Sequence, residues 1–239
     1  MIFKSRRFAD GWARNVEENS AVRKELLCPI LDRLLGPLEG RTVLDAGCGE
    51  GFSTRLLSKK GAERIIGADI NPFLLRIARE RFKEARFTQA SIHDLPFESD
   101  YFDRILCCNA LMNVPDDQAE SAVKEFWRVL RGTGRLVVSI IHPLYNLFAN
   151  QSDASYDKMR AYGLSEEIRV STIPGFADFA EYRRPLCWYM GRFVGTGFRL
   201  MLFDEVFISR FDGISERHLS RLGLPIFAVF SFEKDAKLF

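Results

Sequence analysis

The run Val43-Leu44-Asp45-Ala46-Gly47-Cys48-Gly49-Glu50-Gly51-Phe52 restricts the fold more than any other stretch of the chain. Residues 42–46 are apolar and few enough for a buried strand, and they break at three alternate glycines. The chain then passes into Ser53-Thr54-Arg55-Leu56-Leu57, which reads as the first turns of a helix. Strand, glycine turn and helix together form the entrance to a ligand site. Glycines there turn the backbone sharply and let a ligand lie against the main chain with no Cβ in the way.

Such loops serve dinucleotides and other adenosine cofactors alike. The spacing here is G-x-G-x-G rather than G-x-G-x-x-G, and the carboxylate of Asp45 stands just before the first glycine. A pyrophosphate is repelled by that charge, whereas a ligand carrying an ammonium and a sulfonium is not. As a whole, VLDAGCGEG resembles the first motif of class I S-adenosylmethionine-dependent methyltransferases, in the branch of the ubiquinone and menaquinone biosynthesis enzymes and many small-molecule methyltransferases. The resemblance implies that Asp45 holds the methionine amino end and that Ala46, Gly47, Cys48, Gly49 and Gly51 form the wall along the cofactor.

Bulk properties suit this reading. The 239 residues are 47% hydrophobic and 28% charged, as expected of one globular domain or one domain with an insertion. A net charge of +2 is too mild to argue for nucleic acid. The five cysteines lack C-x-x-C spacing and fall mostly in apolar segments, so buried reduced thiols in a cytosolic protein are expected, with no metal cluster. The basic first residues lead into Asp10, Gly11 and Trp12 without an apolar stretch, and no apolar run approaches membrane-spanning length, so a soluble intracellular protein is expected.

Following the chain, residues 1–18 mix Phe3, Phe8 and Trp12 with charges, and a helix is expected from about Ser20 to Leu35, kinked or started at Pro29. The family resemblance implies that this leading segment folds over the cofactor. A surface arm packed by Trp12 is the competing reading. Arg64–Asp69 reads as a second strand, followed by Asn71-Pro72 as N-cap and first helical residue. Asp69 lies 22 residues after Gly47, the interval at which a strand-end carboxylate meets ribose hydroxyls, with Ile70 beside it. A third strand is expected at Arg86–Gln89. After it the family usually reads G-D-A-x-x-L-P-F and places the acid and the next residue against adenine, but here Ser91 replaces the acid and Ile92 supplies the stacking surface.

Phe102–Cys108 reads as a fourth strand running into Asn109, whose loop should face the cofactor, and the resemblance implies that Met112 and Asn113 in this loop line the space beside the methyl group. Asp117 and Glu120 suggest a capping box, residues 131–134 a turn, and residues 136–141 a buried fifth strand. Glu125 through Ser139 again resemble the same family. His142 ends that strand on the functional edge and is the candidate catalytic base or acceptor-orienting group. Residues 143–197 hold ten aromatics, which suits an apolar or aromatic acceptor pocket, or an insertion that packs on itself or on a second subunit. The stretch from Tyr182 to Phe198 resembles the family's Y-x-R-[PT]-L segment, implying acceptor contacts from Tyr182 and Arg184. Residues 199–209 and 225–232 read as a final antiparallel hairpin.

The expectation is therefore an α/β, Rossmann-like seven-stranded mostly parallel sheet with helices on both faces and an insertion between the fifth and sixth strands. It forms a single domain over 1–239, with 1–36 a helical cap and 143–197 the acceptor-pocket insertion. The function expected is S-adenosyl-L-methionine-dependent methyl transfer to a small molecule, by a cytoplasmic monomer or homodimer without nucleic acid. A non-catalytic S-adenosylmethionine-binding partner subunit and a nicotinamide-dependent oxidoreductase are the competing readings.

Overall fold

The computed structural model describes residues 2–18, 20–149, 166–170, 179–210, 214, 218 and 221–235. Its strands are β1 (Thr42–Ala46), β2 (Arg64–Asp69), β3 (Arg86–Gln89), β4 (Phe102–Cys108), β5 (Leu130–Ile141), β6 (Glu166–Val170), β7 (Phe179–Arg183), β8 (Phe198–Phe207) and β9 (Pro225–Lys234). Seven of them form one sheet in the order β3-β2-β1-β4-β5-β9-β8, and β6 pairs with β7 in a separate two-stranded sheet. β1 to β5 run parallel, while β9 is antiparallel to both β5 and β8. The sheet and its closing hairpin are those expected from the sequence, and the chain between β5 and β8 is the insertion.

Alternate strand residues serve two layers, as the period of a strand requires. Leu44, Ile66, Ile105, Leu136 and Phe230 pack with Phe126 of α6 (Asp116–Val129) and Phe193 of α8 (Leu186–Gly195). Their neighbours Val43, Ile65, Leu106, Val137 and Val229 pack with Leu31 and Leu35 of α3 (Cys28–Leu35) and Leu57 of α4 (Phe52–Lys59). Helices thus cover both faces. The remaining helices are α1 (Arg6–Glu18), α2 (Ser20–Val22), α5 (Pro72–Arg81) and α7 (Pro143–Ala149).

Several local expectations are corrected. The mixed segment before Ser20 contains helix α1, because Phe8, Ala9 and Val16 recur on one buried face that the intervening charges obscure. Pro29 stands in the first turn of α3, which begins at Cys28, so of the two readings it marks the start of this helix. A wider π turn over Arg23–Leu27 comes before it and gives the ring room where an ordinary turn would clash. The capping box at Asp117 does not form: Pro115 is the N-cap, Asp116 opens α6 and pairs with Arg184, and Glu120 pairs with Arg192. The turn expected at 131–134 lies inside β5 as an irregularity, where pairing jumps from Phe102–Leu130 to Arg104–Arg135. Cys187 is exposed, whereas the other four free cysteines are buried or half-buried. Among the described residues no helix is long and apolar enough to cross a membrane.

Candidate functional site

The glycine loop is anchored to β2, since the Gly47 and Cys48 N–H groups both donate to the Ala68 carbonyl, at 2.8 and 3.1 Å. Gly47 has φ +74°, and a Cβ on it would lie 2.4 Å from the Cβ of Ala110. Only glycine lets the loop after β4 approach this closely. Asp45 is fully buried at the end of β1, and its two oxygens accept from Ser53 Oγ at 2.7 Å and Thr54 Oγ1 at 2.6 Å. It therefore clamps the first turn of α4 to the strand that leads into the loop.

At the end of β2, Asp69 Oδ2 accepts from the Gly49 N–H at 2.9 Å and Oδ1 from the Asn71 N–H at 2.8 Å. An ionised carboxylate has about four acceptor positions, so acceptor capacity remains for a ligand. Asn71 caps α5 through Oδ1 and donates through Nδ2 to the carbonyls of Phe3 and Ser5, at 2.6 and 3.3 Å. This ties the N-terminal arm to the site. Phe8 stacks on Trp12 with ring centroids 5.8 Å apart, and the Arg23 guanidinium lies 5.7 Å from the Trp12 ring and 5.4 Å from the Phe52 ring.

A cavity of about 290 Å³ opens between these elements, near the small end of the usual range for ligand sites. Its walls are Phe3, Phe8 and Trp12 from the arm; Gly47 and Gly49; Asp69, Ile70, Asn71 and Leu74; and Ala90, Ser91 and Ile92. Cys108, Asn109, Ala110, Asn113, Val114, Pro115, Gln118 and Tyr182 complete it. These positions follow the carboxyl ends of β1 to β4, where open α/β sheets hold ligands.

Three carboxylates crowd the loop. Burial pushes the Asp45 carboxyl up to about 6, against the hydrogen bonds from Thr54 and Ser53, and the charges of Glu50 and Asp69 add to the rise. Burial also raises Glu50, opposed by a backbone N–H and by Arg23 and Arg81, and raises Asp69 against three backbone N–H groups. Such a site gains by taking up positive charge. Of the three, Asp69 lines the cavity and can accept from a diol, and Ile92, Phe3, Phe8 and Trp12 give the same cavity apolar walls.

The structure brings Gly47, Gly49, Asp69, Ile70, Ser91, Ile92, Asn109, Asn113 and Tyr182 to this one cavity. Other expected site residues stand behind its wall. Asp45 faces α4, as above. Ala46 and Cys48 are buried, and the Cys48 sulfur lies 2.9 Å from where a Cβ on Gly67 would be. Gly51, at φ +94°, is the N-cap of α4. Met112 is buried, its sulfur 3.3 Å from the Ile141 N–H that donates to it. Arg184 is fully buried and acts as a brace: its Nε donates to Asp116 Oδ1 at 2.7 Å, its other nitrogens to the Leu111 and Val114 carbonyls, and its guanidinium lies 4.6 Å from the Trp188 ring.

His142 is not among the residues that line this cavity. Its N–H donates to the Ile226 carbonyl at 2.9 Å, so the chain is still paired with β9 there. The ring is fully buried, Nδ1 accepts from the Leu144 N–H at 3.1 Å, and Nε2 lies 2.8 Å from Glu205 Oε1 on β8. Burial lowers its pKa, opposed by Glu205. The imidazole thus joins the end of β5 to β8. The expected insertion pocket is represented in the cavity by Tyr182, and residues 150–165 and 171–178 lie outside the described residues. Sequence reasoning missed Gln118 and Cys108 as wall residues and undervalued Phe3, Phe8 and Trp12. The signal for the arm was three large aromatics in an otherwise charged segment.

Residues 43–134 match the family described as Methyltransferase domain. A demethylmenaquinone methyltransferase from Tropheryma whipplei is 39% identical over 127 residues, covering 48% of this chain and 51% of that protein. A ubiquinone/menaquinone biosynthesis C-methyltransferase from Vibrio cholerae is 33% identical over 139 residues, 52% of each. The chain thus spans about half the length of the curated relatives it matches. An S-adenosylmethionine-dependent methyltransferase from Mesorhizobium loti has a similar fold, with a TM-score of 0.68 at 21% identity, covering 86% of this chain and 96% of that one.

Proposed function

We propose that this chain, whose residues 43–134 match the methyltransferase-domain family, transfers a methyl group from S-adenosylmethionine to an apolar or aromatic small molecule. The observation that carries the reading is the meeting of two buried carboxylates, Asp45 and Glu50, with a glycine loop and the strand-end acid Asp69, which lines the cavity. Asp69 would hold the ribose hydroxyls, Ile92 and Ser91 the adenine, and Gly47 and Gly49 the methionine portion, with Asp45 and Glu50 lending the field that favours a cation. Bound there, the cofactor supplies a methyl group already activated on a sulfonium.

The protein's own contribution is then alignment and exclusion of water. Phe3, Phe8 and Trp12 cover the cavity, and Pro115, Val114 and Tyr182 bound the side opposite the adenosine portion. Among the described lining residues Asp69 is the one carboxylate and no histidine is present. That suits an acceptor needing little help from a protein base. The relatives named demethylmenaquinone methyltransferase and ubiquinone/menaquinone biosynthesis C-methyltransferase support a quinone-like acceptor, and a net charge of +2 gives no reason to expect nucleic acid. We take the protein to act in the cytoplasm as a monomer or homodimer. Incubating the purified chain with radiolabelled methyl donor and cell extract, then identifying the product by mass spectrometry, tests the reading. A labelled small molecule is expected. Donor binding with no labelled product from any extract would favour a non-catalytic partner subunit instead.

A further inference from the structure

Two buried amide atoms of residues that line the cavity have no partner among the described residues. They are Nδ2 of Asn109 and Oδ1 of Asn113. Asn109 ends β4 with φ +52° and is 5% exposed, and its Oδ1 accepts from Ser139 Oγ at 3.2 Å. Asn113 lies one 3-10 turn later, and its Nδ2 donates to the Asn109 carbonyl at 3.1 Å. That bond orients the second amide, because turning it over would set an oxygen against a carbonyl oxygen. The two side chains form one unit, with a donor at one end and an acceptor at the other.

Buried polar atoms in folded proteins are almost always paired, and one ligand group able both to donate and to accept would serve the two unpartnered atoms. A hydroxyl does so, having one O–H and two lone pairs. A carboxylate would leave Asn113 Oδ1 facing another acceptor, and an ammonium would leave Asn109 Nδ2 facing another donor. The surroundings select in the same direction. Val114, Pro115 and Ala110 flank the pair, and the one charged side chain among the described lining residues is Asp69. Resting on the methyltransferase reading above, we propose that Asn109 and Asn113 select and orient the acceptor through a neutral hydroxyl group, which donates to Asn113 Oδ1 and accepts from Asn109 Nδ2. The acceptor is therefore an uncharged alcohol or phenol with an otherwise apolar body.

Three probes of one size separate the possibilities: 4-ethylphenol, 4-ethylanisole, which only accepts, and 4-ethylbenzoate, which is an anion. Each is titrated by ligand-observed NMR into the full chain saturated with S-adenosylhomocysteine. 4-Ethylphenol is expected to bind about tenfold or more tightly than the other two. Asn113→Leu is expected to erase that preference while calorimetry shows S-adenosylhomocysteine binding as before, which also confirms that the variant folds. Equal binding of the three probes, or a preference that survives in Asn113→Leu, overturns the inference and leaves the proposed function standing. Failure of the unmodified chain to bind S-adenosylhomocysteine overturns the proposed function, and the inference falls with it.

Discussion

Asp69 accepts from two backbone N–H groups belonging to two segments, Gly49 in the glycine loop and Asn71 at the start of α5. Asp69→Ala should weaken S-adenosylhomocysteine binding by on the order of 1–3 kcal/mol, read by calorimetry, since hydroxyls brought to the site lose their acceptor. Asp45 acts differently. Burial raises its carboxyl from 3.8 to about 6, so the folded state binds the proton more tightly than the unfolded chain. Its contribution to stability is fully present below 3.8 and lost as pH rises through about 6. Asp45→Asn removes that dependence. In urea denaturation the variant should gain on the parent by on the order of 1–3 kcal/mol between about pH 4 and about pH 7. A constant difference across that range would contradict the assignment. His142→Ala should destabilise the fold by about 1–3 kcal/mol, because it strands Glu205 and the Leu144 N–H, while turnover per folded molecule is unchanged.

At the scale of elements, the N-terminal arm and the Arg184 brace decide the shape of the cavity. Trp12 lies on the wall, stacked on Phe8, whereas Trp127 packs against Phe198 and Trp188 under Arg184. S-adenosylhomocysteine should therefore change tryptophan emission, and Trp12→Phe should abolish the change although two tryptophans remain. An undiminished change in Trp12→Phe would separate the arm from the site. Elements whose residues interact locally were legible in the sequence: the strand before the glycines, the Asn71 cap, the Asp69 interval. What stayed hidden depended on partners distant in the chain. Arg184 reads as a substrate residue because its motif sits next to the pocket, but Asp116 and two loop carbonyls absorb its hydrogen bonds. His142 ends a strand on the functional edge, yet β9 and β8 rather than β4 receive it. Strand order, which no local pattern states, decides such cases.

Over the whole molecule, the sheet order β3-β2-β1-β4-β5-β9-β8 gathers the carboxyl ends of four parallel strands around one cavity and leaves the antiparallel hairpin to close the far edge. The acids of the glycine loop, the Asp69 carboxylate and the arm's aromatic rings come from separate segments and meet only through that topology. The central claim is that the cavity so formed is built for a cationic adenosine ligand and not for a dinucleotide. Calorimetric titration of the purified chain with S-adenosylmethionine and, separately, with NADH tests it most directly. The account predicts a single site for S-adenosylmethionine of roughly micromolar affinity, about −8 kcal/mol, with no heat from NADH. Binding of NADH without binding of S-adenosylmethionine would contradict it.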